Sequence, residues 1–312
     1  MRHTVSVIIC TCASLALCAI LTRYFHPHWA PALFYSLHLH LAIACVMATV
    51  FALIIRQIIG GWLVLAVAIA LTGHGFYMSR QFAVPERGEA LSGSRLRLMS
   101  FNTLNSNIAG GADLTKMILS SGADVVNLLE SQPLATRVDE LSTIYPYRIG
   151  CMVVMARCDQ MLLSKTPIED IEIRTLSDVY AQRYLKGRIA IDGQSVTIVG
   201  IHTTKPYFDG FHADELYWAA HFINRIQGPV IVAGDFNAST LDVNIQQFLT
   251  KTGLGSIGWE PSTWPISAGP FGIAIDHVYV RAPLGITSLE RIPQSYGSNH
   301  YGLVAEVALP PP

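Results

Sequence analysis

The chain is 312 residues long with a formal net charge of −1, room for one large domain or for a domain with an appendage. A total charge so near zero argues neither for nor against nucleic acid. Its distribution excludes a chain bathed throughout in water: no acidic residue precedes Glu86, and the only fixed positive charges before it are Arg2, Arg23, Arg56 and Arg80.

Residues 1–78 therefore read as a membrane domain. Three apolar segments, Thr4–Thr22, Ala32–Ile55 and Gln57–Tyr77, each reach the ~20 residues that cross a bilayer as a helix. Tyr24, Phe25, Trp29, Trp62, Phe76 and Tyr77 sit at their edges, as interfacial anchors do. Gly60, Gly61, Gly73 and His74 trim the apolar core of the third. The first segment has the basic start of a cleaved signal peptide, but no small-x-small site stands near residue 22, and Leu17 is too large to precede a lipoprotein cysteine at Cys18. A retained helix is the expectation. Three spans place the amino terminus and the remainder of the chain on opposite faces. Arg2 and Arg56 then balance Arg23 and Arg80, so the positive-inside rule barely orients the chain.

Ser79–Arg95 is polar, carries Pro85, Gly88 and Gly93, and reads as a linker. Residues 96–312 then alternate strands and helices. "LRLMSFN" is a strand, "DLTKMILSSG" a short helix stopped by Gly122, and "DVVNLLE" a strand; "DQMLLSKTPI" contains another. "GRIAIDGQSVTIVGIHT" is a hairpin turning at Asp192-Gly193. "DELYWAAHFINRI" is an amphipathic helix, "PVIVAGDFN" a strand with a polar exit, and "IAIDHVYVR" and "GLVAEVAL" are strands. Such a pattern predicts a layered α/β or α+β domain, large enough at about 215 residues to bury its own core.

Polar residues collect at the strand ends: Asn102, Glu130, His202, Asp235, Asn237, Asp276 and His300. Singly each has a plain reading as a turn former, a solvated strand end or a core histidine. Asp276 resists it, because strand residues surround it and a buried carboxylate needs a partner. In order, "SFN … LLE … IHTT … GDFN … IDHVYV … SNH" resembles the endonuclease/exonuclease/phosphatase superfamily (deoxyribonuclease I-like) across Arg95–Val307, with "GDFN" and "IDH" the specific motifs and "TWP" at Thr263–Pro265 a further likeness.

That resemblance implies a four-layer α/β sandwich of two packed sheets flanked by helices, with the strand ends meeting in one cleft. There a divalent metal, Mg²⁺ or Mn²⁺, assists phosphoester hydrolysis. Glu130 matches the metal-binding glutamate and Asn102 the asparagine beside it. Asp235 matches the aspartate that activates or orients the attacking water, and Asn237 its phosphate-contacting partner. His202 matches a histidine that donates to phosphate or leaving group, and Asp276 with His300 an Asp–His pair. The last motif departs from the family: Asn299 stands where an aspartate usually contributes charge to the metal site. Weaker metal binding is expected, and a degraded, binding-only homologue is the alternative.

The implied substrate is a phosphodiester, from nucleic acid, a nucleotide or a phospholipid head group; no protein partner is implied. From Arg95 onward sixteen Lys and Arg face twenty Asp and Glu, which argues mildly against a duplex nuclease. Cys151 and Cys158 either close a disulfide loop or remain two buried thiols. An extracytoplasmic catalytic face on a bacterial inner membrane is the expected placement. "HPH" (His26–His28) and "HLH" (His38–His40) are not read as metal sites, since residues two apart on a helix face different ways.

Overall fold

The computed structural model describes residues 1–84, 93–155 and 157–311. Its amino-terminal part is helical: α1 (Arg2–Phe25), α2 (Ala32–Ser36), α3 (His38–Ile55) and α4 (Ile59–Gln81). Three of these, α1, α3 and α4, are long and apolar enough to cross a membrane. They pack through Ala13, Leu17, Ile20, Ala42, Cys45, Ala68 and Leu71, and small side chains on the facing surfaces let the backbones approach. The second apolar segment is not one helix. It breaks at Leu37, leaving Ala32–Ser36 as a separate turn of helix ahead of α3. Hydropathy runs unbroken across Leu37, so an apolar count cannot see that break.

The second part holds two six-stranded mixed sheets. One has the order β11-β12-β1-β2-β4-β3, built from β1 (Arg95–Asn102), β2 (Val125–Leu129), β3 (Tyr147–Gly150), β4 (Gln160–Ser164), β11 (Gly285–Arg291) and β12 (Leu303–Ala308). The other runs β5-β6-β7-β8-β10-β9, from β5 (Glu169–Arg174), β6 (Tyr184–Ile191), β7 (Gln194–His202), β8 (Val230–Asp235), β9 (Leu254–Gly255) and β10 (Asp276–Arg281). Side-chain alternation explains the layering. Leu96, Leu98, Ile231, Ala233, Val278 and Val280 point into the core between the sheets. Met99 and Phe101 turn outward onto α5 (Gly111–Ser120) and α6 (Val138–Ser142). Val230, Val232 and Tyr279 turn outward onto α7 (Phe211–Ile223) and α8 (Val243–Thr252). Strands buried on both faces read as continuous apolar runs, which is why "VVNLL" and "VIVAG" stand out. This is the four-layer, deoxyribonuclease I-like sandwich.

The segment read as a linker has structure at its start. Ser79–Gln81 complete α4, and Phe82–Val84 pair with Ser256: Ser256 N donates to Phe82 O (3.0 Å) and Val84 N to Ser256 O (2.8 Å). Phe82 packs on the outer core and Val84 on the core between the sheets. Most of the remaining linker lies outside the described residues. A soluble fragment begun at Phe82 is expected to melt higher than one begun at Arg95. Restoring two part-buried apolar side chains contributes about 1–3 kcal/mol, a shift of several degrees. Equal midpoints by circular dichroism would show that the added strand does not dock.

Candidate active site

Strand register gathers the predicted residues. β7 and β8 run parallel with His202 opposite Asp235, and β10 runs antiparallel to β8 with Asp276 opposite Asp235. Three neighbouring strands therefore present His202, Asp235 and Asp276 in a row. Asp276 opens its strand rather than lying inside one, yet antiparallel pairing brings it to the same edge. Gly234 makes the approach feasible: with φ +151°, a Cβ there would land on the Ile201 carbonyl oxygen. From the other sheet, β1 ends in Asn102, and Glu130 follows β2.

Asn102 joins the two sheets. Its Nδ2 donates to Glu130 Oε1 (3.1 Å) and Asp235 Oδ2 (2.9 Å), while its Oδ1 accepts from Leu104 N (3.1 Å). Asn102 thus orients both carboxylates through its amide protons, and its Oδ1 keeps a lone pair beyond the bond from Leu104 N. Glu130 and Asn237 are held at positive φ, 51° and 50°, a conformation uncommon outside glycine that clusters at functional sites. Asn237 N donates to Asp235 Oδ1 (2.9 Å), and one proton of its amide goes to Thr203 O (2.9 Å).

The two histidines differ in charge. Burial works to lower the His300 pKa, but the carboxylates of Asp276 and Asp235 outweigh it and hold the imidazole up at about 9. Its Nδ1 donates to Asp276 Oδ2 (2.8 Å), and its Nε2 lies 3.8 Å from Asp235 Oδ2. His202 is pushed well below the ordinary histidine value by burial, then by Arg183 and His300. It stays neutral 3.7 Å from Asp235 Oδ2, with Nδ1 buried and unpartnered. Burial, then the charge of Asp276, raises Asp235 to about 6, against the lowering pull of His300, the Asn237 N–H and Asn102.

Asp235, Asp276 and His300 lie close enough for one cation to touch all three. The His300 imidazolium, bonded to Asp276 and beside Asp235, already balances one of the two carboxylate charges in that cluster. Glu130 fits a metal better. Its oxygens accept only from the Asn102 amide and Asn105 N (2.9 Å), it makes no ion pair among the described residues, and it shares a cleft of about 330 Å³ with the exposed Asn299. Hard oxygen donors on the cleft wall, in no direct ion pair among the described residues, suit Mg²⁺ or Mn²⁺.

Several cleft features carry no sequence signature. Arg183 and Lys205 supply positive charge, and Leu33 and Ser36 enter from α2. Thr263 Oγ1 accepts from Ile275 N (3.1 Å) and Asp276 N (3.2 Å), which gives "TWP" a role in seating Asp276. His277 contacts Glu260 Oε1 (2.8 Å) and Ala238 O (2.9 Å); two oxygen acceptors require both ring nitrogens to donate, so His277 is a second buried cation, bracing the loop after Asp235. Away from the cleft, Cys151 and Cys158 form a disulfide.

A family model described as the Endonuclease/Exonuclease/phosphatase family matches residues 99–300. The chain belongs to this family. Its members are phosphoester hydrolases. No curated protein matches the chain in sequence. Among solved structures, sphingomyelinase C from Streptomyces griseocarneus is similar at 15% identity and TM-score 0.51, covering 68% of this chain and 99% of that one. A humanised TDP2 from D. rerio is similar at 16% identity and TM-score 0.55, covering 69% and 99%. A mutant beta toxin from Staphylococcus aureus with bound magnesium ions is similar at 13% identity and TM-score 0.54, covering 68% and 99%. At these identities the likeness is one of fold.

Proposed function

We propose that the protein is a membrane-anchored, divalent-metal-dependent phosphodiesterase, its membrane domain (residues 1–78) carrying a catalytic domain (residues 96–312). One observation carries this reading: Asp235 is buried at the meeting of the two sheets, bonded to Asn102 and flanked by one neutral and one cationic histidine. Glu130 and Asn299 would hold the metal, which when bound supplies positive charge to the phosphoryl oxygens. Asp235, more basic than an ordinary aspartate, orients the attacking water and accepts its proton. His300, fixed by Asp276, donates to a phosphoryl oxygen, as do the neutral His202 and the free amide proton of Asn237. Arg183 and Lys205 draw the anion into the cleft. The disulfide supports a catalytic domain on the periplasmic face of a bacterial inner membrane, where oxidising conditions keep it closed.

The direct test is hydrolysis of bis-p-nitrophenyl phosphate by the full chain in detergent, with Mg²⁺, with Mn²⁺ and with chelator. Turnover that chelator does not touch would remove the metal from the mechanism. Asn299 favours a second reading, a site that binds phosphoesters without cleaving them. Restoring the carboxylate decides between them. Asn299→Asp is expected to tighten Mg²⁺ binding by on the order of tenfold through added ligand charge, read by calorimetry, while the parent already turns over. Activity confined to the Asn299→Asp variant would favour the binding role.

A further inference from the structure

The membrane segment reaches into the catalytic cleft. Ser239, two residues beyond Asn237, is clasped to α2 twice, through Ser239 N to Ser36 Oγ (3.1 Å) and Ser239 Oγ to Ser36 O (3.0 Å). Both serines are buried. Close by, Leu39 and Met78 pack on Leu241, and Arg23 at the end of α1 donates to Gln246 of α8 (3.1 Å). The loop that carries Asp235 and Asn237 is thereby tied to the ends of three helices built to cross a bilayer. Ser36 and Leu33 form a wall of the same cleft that Glu130, His202, Asn237 and His300 line.

The surroundings on that side are more apolar than the cleft, although Glu260 and Arg291 also reach them. A second cavity of about 410 Å³ lies between α3, α4 and the catalytic domain; it shares Ser36 and Ile273 with the cleft, and Leu39, Leu241, Trp259 and Pro261 are among its walls. Large apolar side chains stand exposed around the pair: Phe34 on α2, Phe208 and Tyr180 at the cleft, Phe271 beside the second cavity, and Trp259, which stacks on Phe76 of α4. Exposed aromatics continuous with the ends of membrane helices belong at the lipid headgroup level.

We infer that the substrate is a phosphodiester lipid of the leaflet in which the chain is anchored. Its phosphate lies at Asp235, and its apolar part leaves the cleft across Leu33 toward the cavity shared through Ser36. This rests on the phosphodiesterase reading and adds the substrate class. In the reaction the oxygen of water bonds to phosphorus, one P–O ester bond breaks, and the leaving oxygen takes up a proton, giving an alcohol and a phosphate monoester. A nucleic acid strand fits less well. Among the described residues the cleft offers Arg183 and Lys205 as its only Lys or Arg, short of the row of cations that tracks a phosphate backbone, and α2 occupies the side toward the bilayer.

The experiment uses the full chain reconstituted with Mg²⁺ in vesicles of phosphatidylethanolamine and phosphatidylglycerol, with new phosphate monoester read by phosphorus NMR. Soluble bis-p-nitrophenyl phosphate and a single-stranded oligonucleotide are assayed beside it. Vesicle lipid is expected to be cleaved, and Leu33→Asp to lower the ratio of lipid to aryl-diester turnover roughly tenfold or more, the loss of the contact by which the lipid would cover the exposed Leu33. Phe208→Ser, at an exposed position that the fold does not need, serves if Leu33→Asp misfolds, and is expected to lower the same ratio. Cleavage of the aryl diester or oligonucleotide with lipid untouched overturns the lipid assignment and leaves the phosphodiesterase reading standing. A readout without turnover separates the two ideas further. Phosphatidylglycerol with a photoreactive acyl chain, irradiated in chelator, is expected to label residues 29–36 or 205–211. Such labelling with no hydrolysis of any diester would sink the enzymatic reading and keep the lipid site; labelling only on the outward faces of α1, α3 and α4 would sink the lipid site.

Discussion

Replacing Asp235 with asparagine is expected to lower diester turnover by about 10²- to 10⁴-fold, the range that a positioned general base contributes, with the loss in kcat. The carboxylate is fully buried, and burial together with Asp276 raises its pKa to about 6, so near neutral pH it is ionised yet more basic than a surface aspartate. Asparagine keeps the shape and one acceptor, so the backbone N–H of Asn237 stays satisfied. It loses the acceptor that Asn102 Nδ2 uses, a local cost of about 1–3 kcal/mol that leaves a domain of this size folded. Circular dichroism and a melting curve beside the kinetics separate the two effects. A folded variant with parental kcat would take Asp235 out of the mechanism.

How much of this was legible in the sequence follows from burial. Strands buried on both faces, such as Val125–Leu129 and Val230–Asp235, announce themselves as apolar runs, and the polar residue ending each run marks the cleft. The four strands the sequence reading passes over, Tyr147–Gly150, Glu169–Arg174, Leu254–Gly255 and Gly285–Arg291, are the four edge strands of the two sheets. Edges are short or carry charge because unpaired backbone invites association, and "EDIEIR" shows the result. Helix α8 has only a short apolar stripe to announce it, yet Asp242 caps its first turn and Gly253 ends it at φ 66°, the start and stop signals of a helix.

The site divides the same way. Residue identities at strand ends were readable, but their charge states were not. Burial beside Arg183 and His300 keeps His202 neutral, while Asp276 and Asp235 keep His300 charged, and only the folded arrangement of β7, β8 and β10 brings those groups together. Ser36 is 203 residues from Ser239, and no local pattern links an apolar turn of helix to a catalytic loop. The roles of Leu33, Arg183 and Lys205 likewise arise only where α2 and the loops bearing the two cations meet at the cleft.

His300→Gln is expected to cost the fold more than the removal of one hydrogen bond would. Asp235 and Asp276 are both about 1% exposed and sit opposite each other on paired strands. With the imidazolium gone, two buried carboxylates share one dry space and cannot both stay ionised. Breaking such a cluster costs about 3–5 kcal/mol, a fall in melting midpoint of about 10 °C for a domain of this size. The pH dependence has a definite sign. In the parent, His300 lowers the Asp235 pKa; without it the folded-state value rises further above the unfolded one. The folded variant then binds more protons than the unfolded chain, so its stability rises as pH falls from neutral toward 5, measured in chelator so that no metal competes. Adding Asp276→Asn removes one of the two charges and is expected to restore most of the lost stability, though not the activity. A single variant that melts like the parent, with no greater dependence on pH, would mean that His300 does not hold the two carboxylates together.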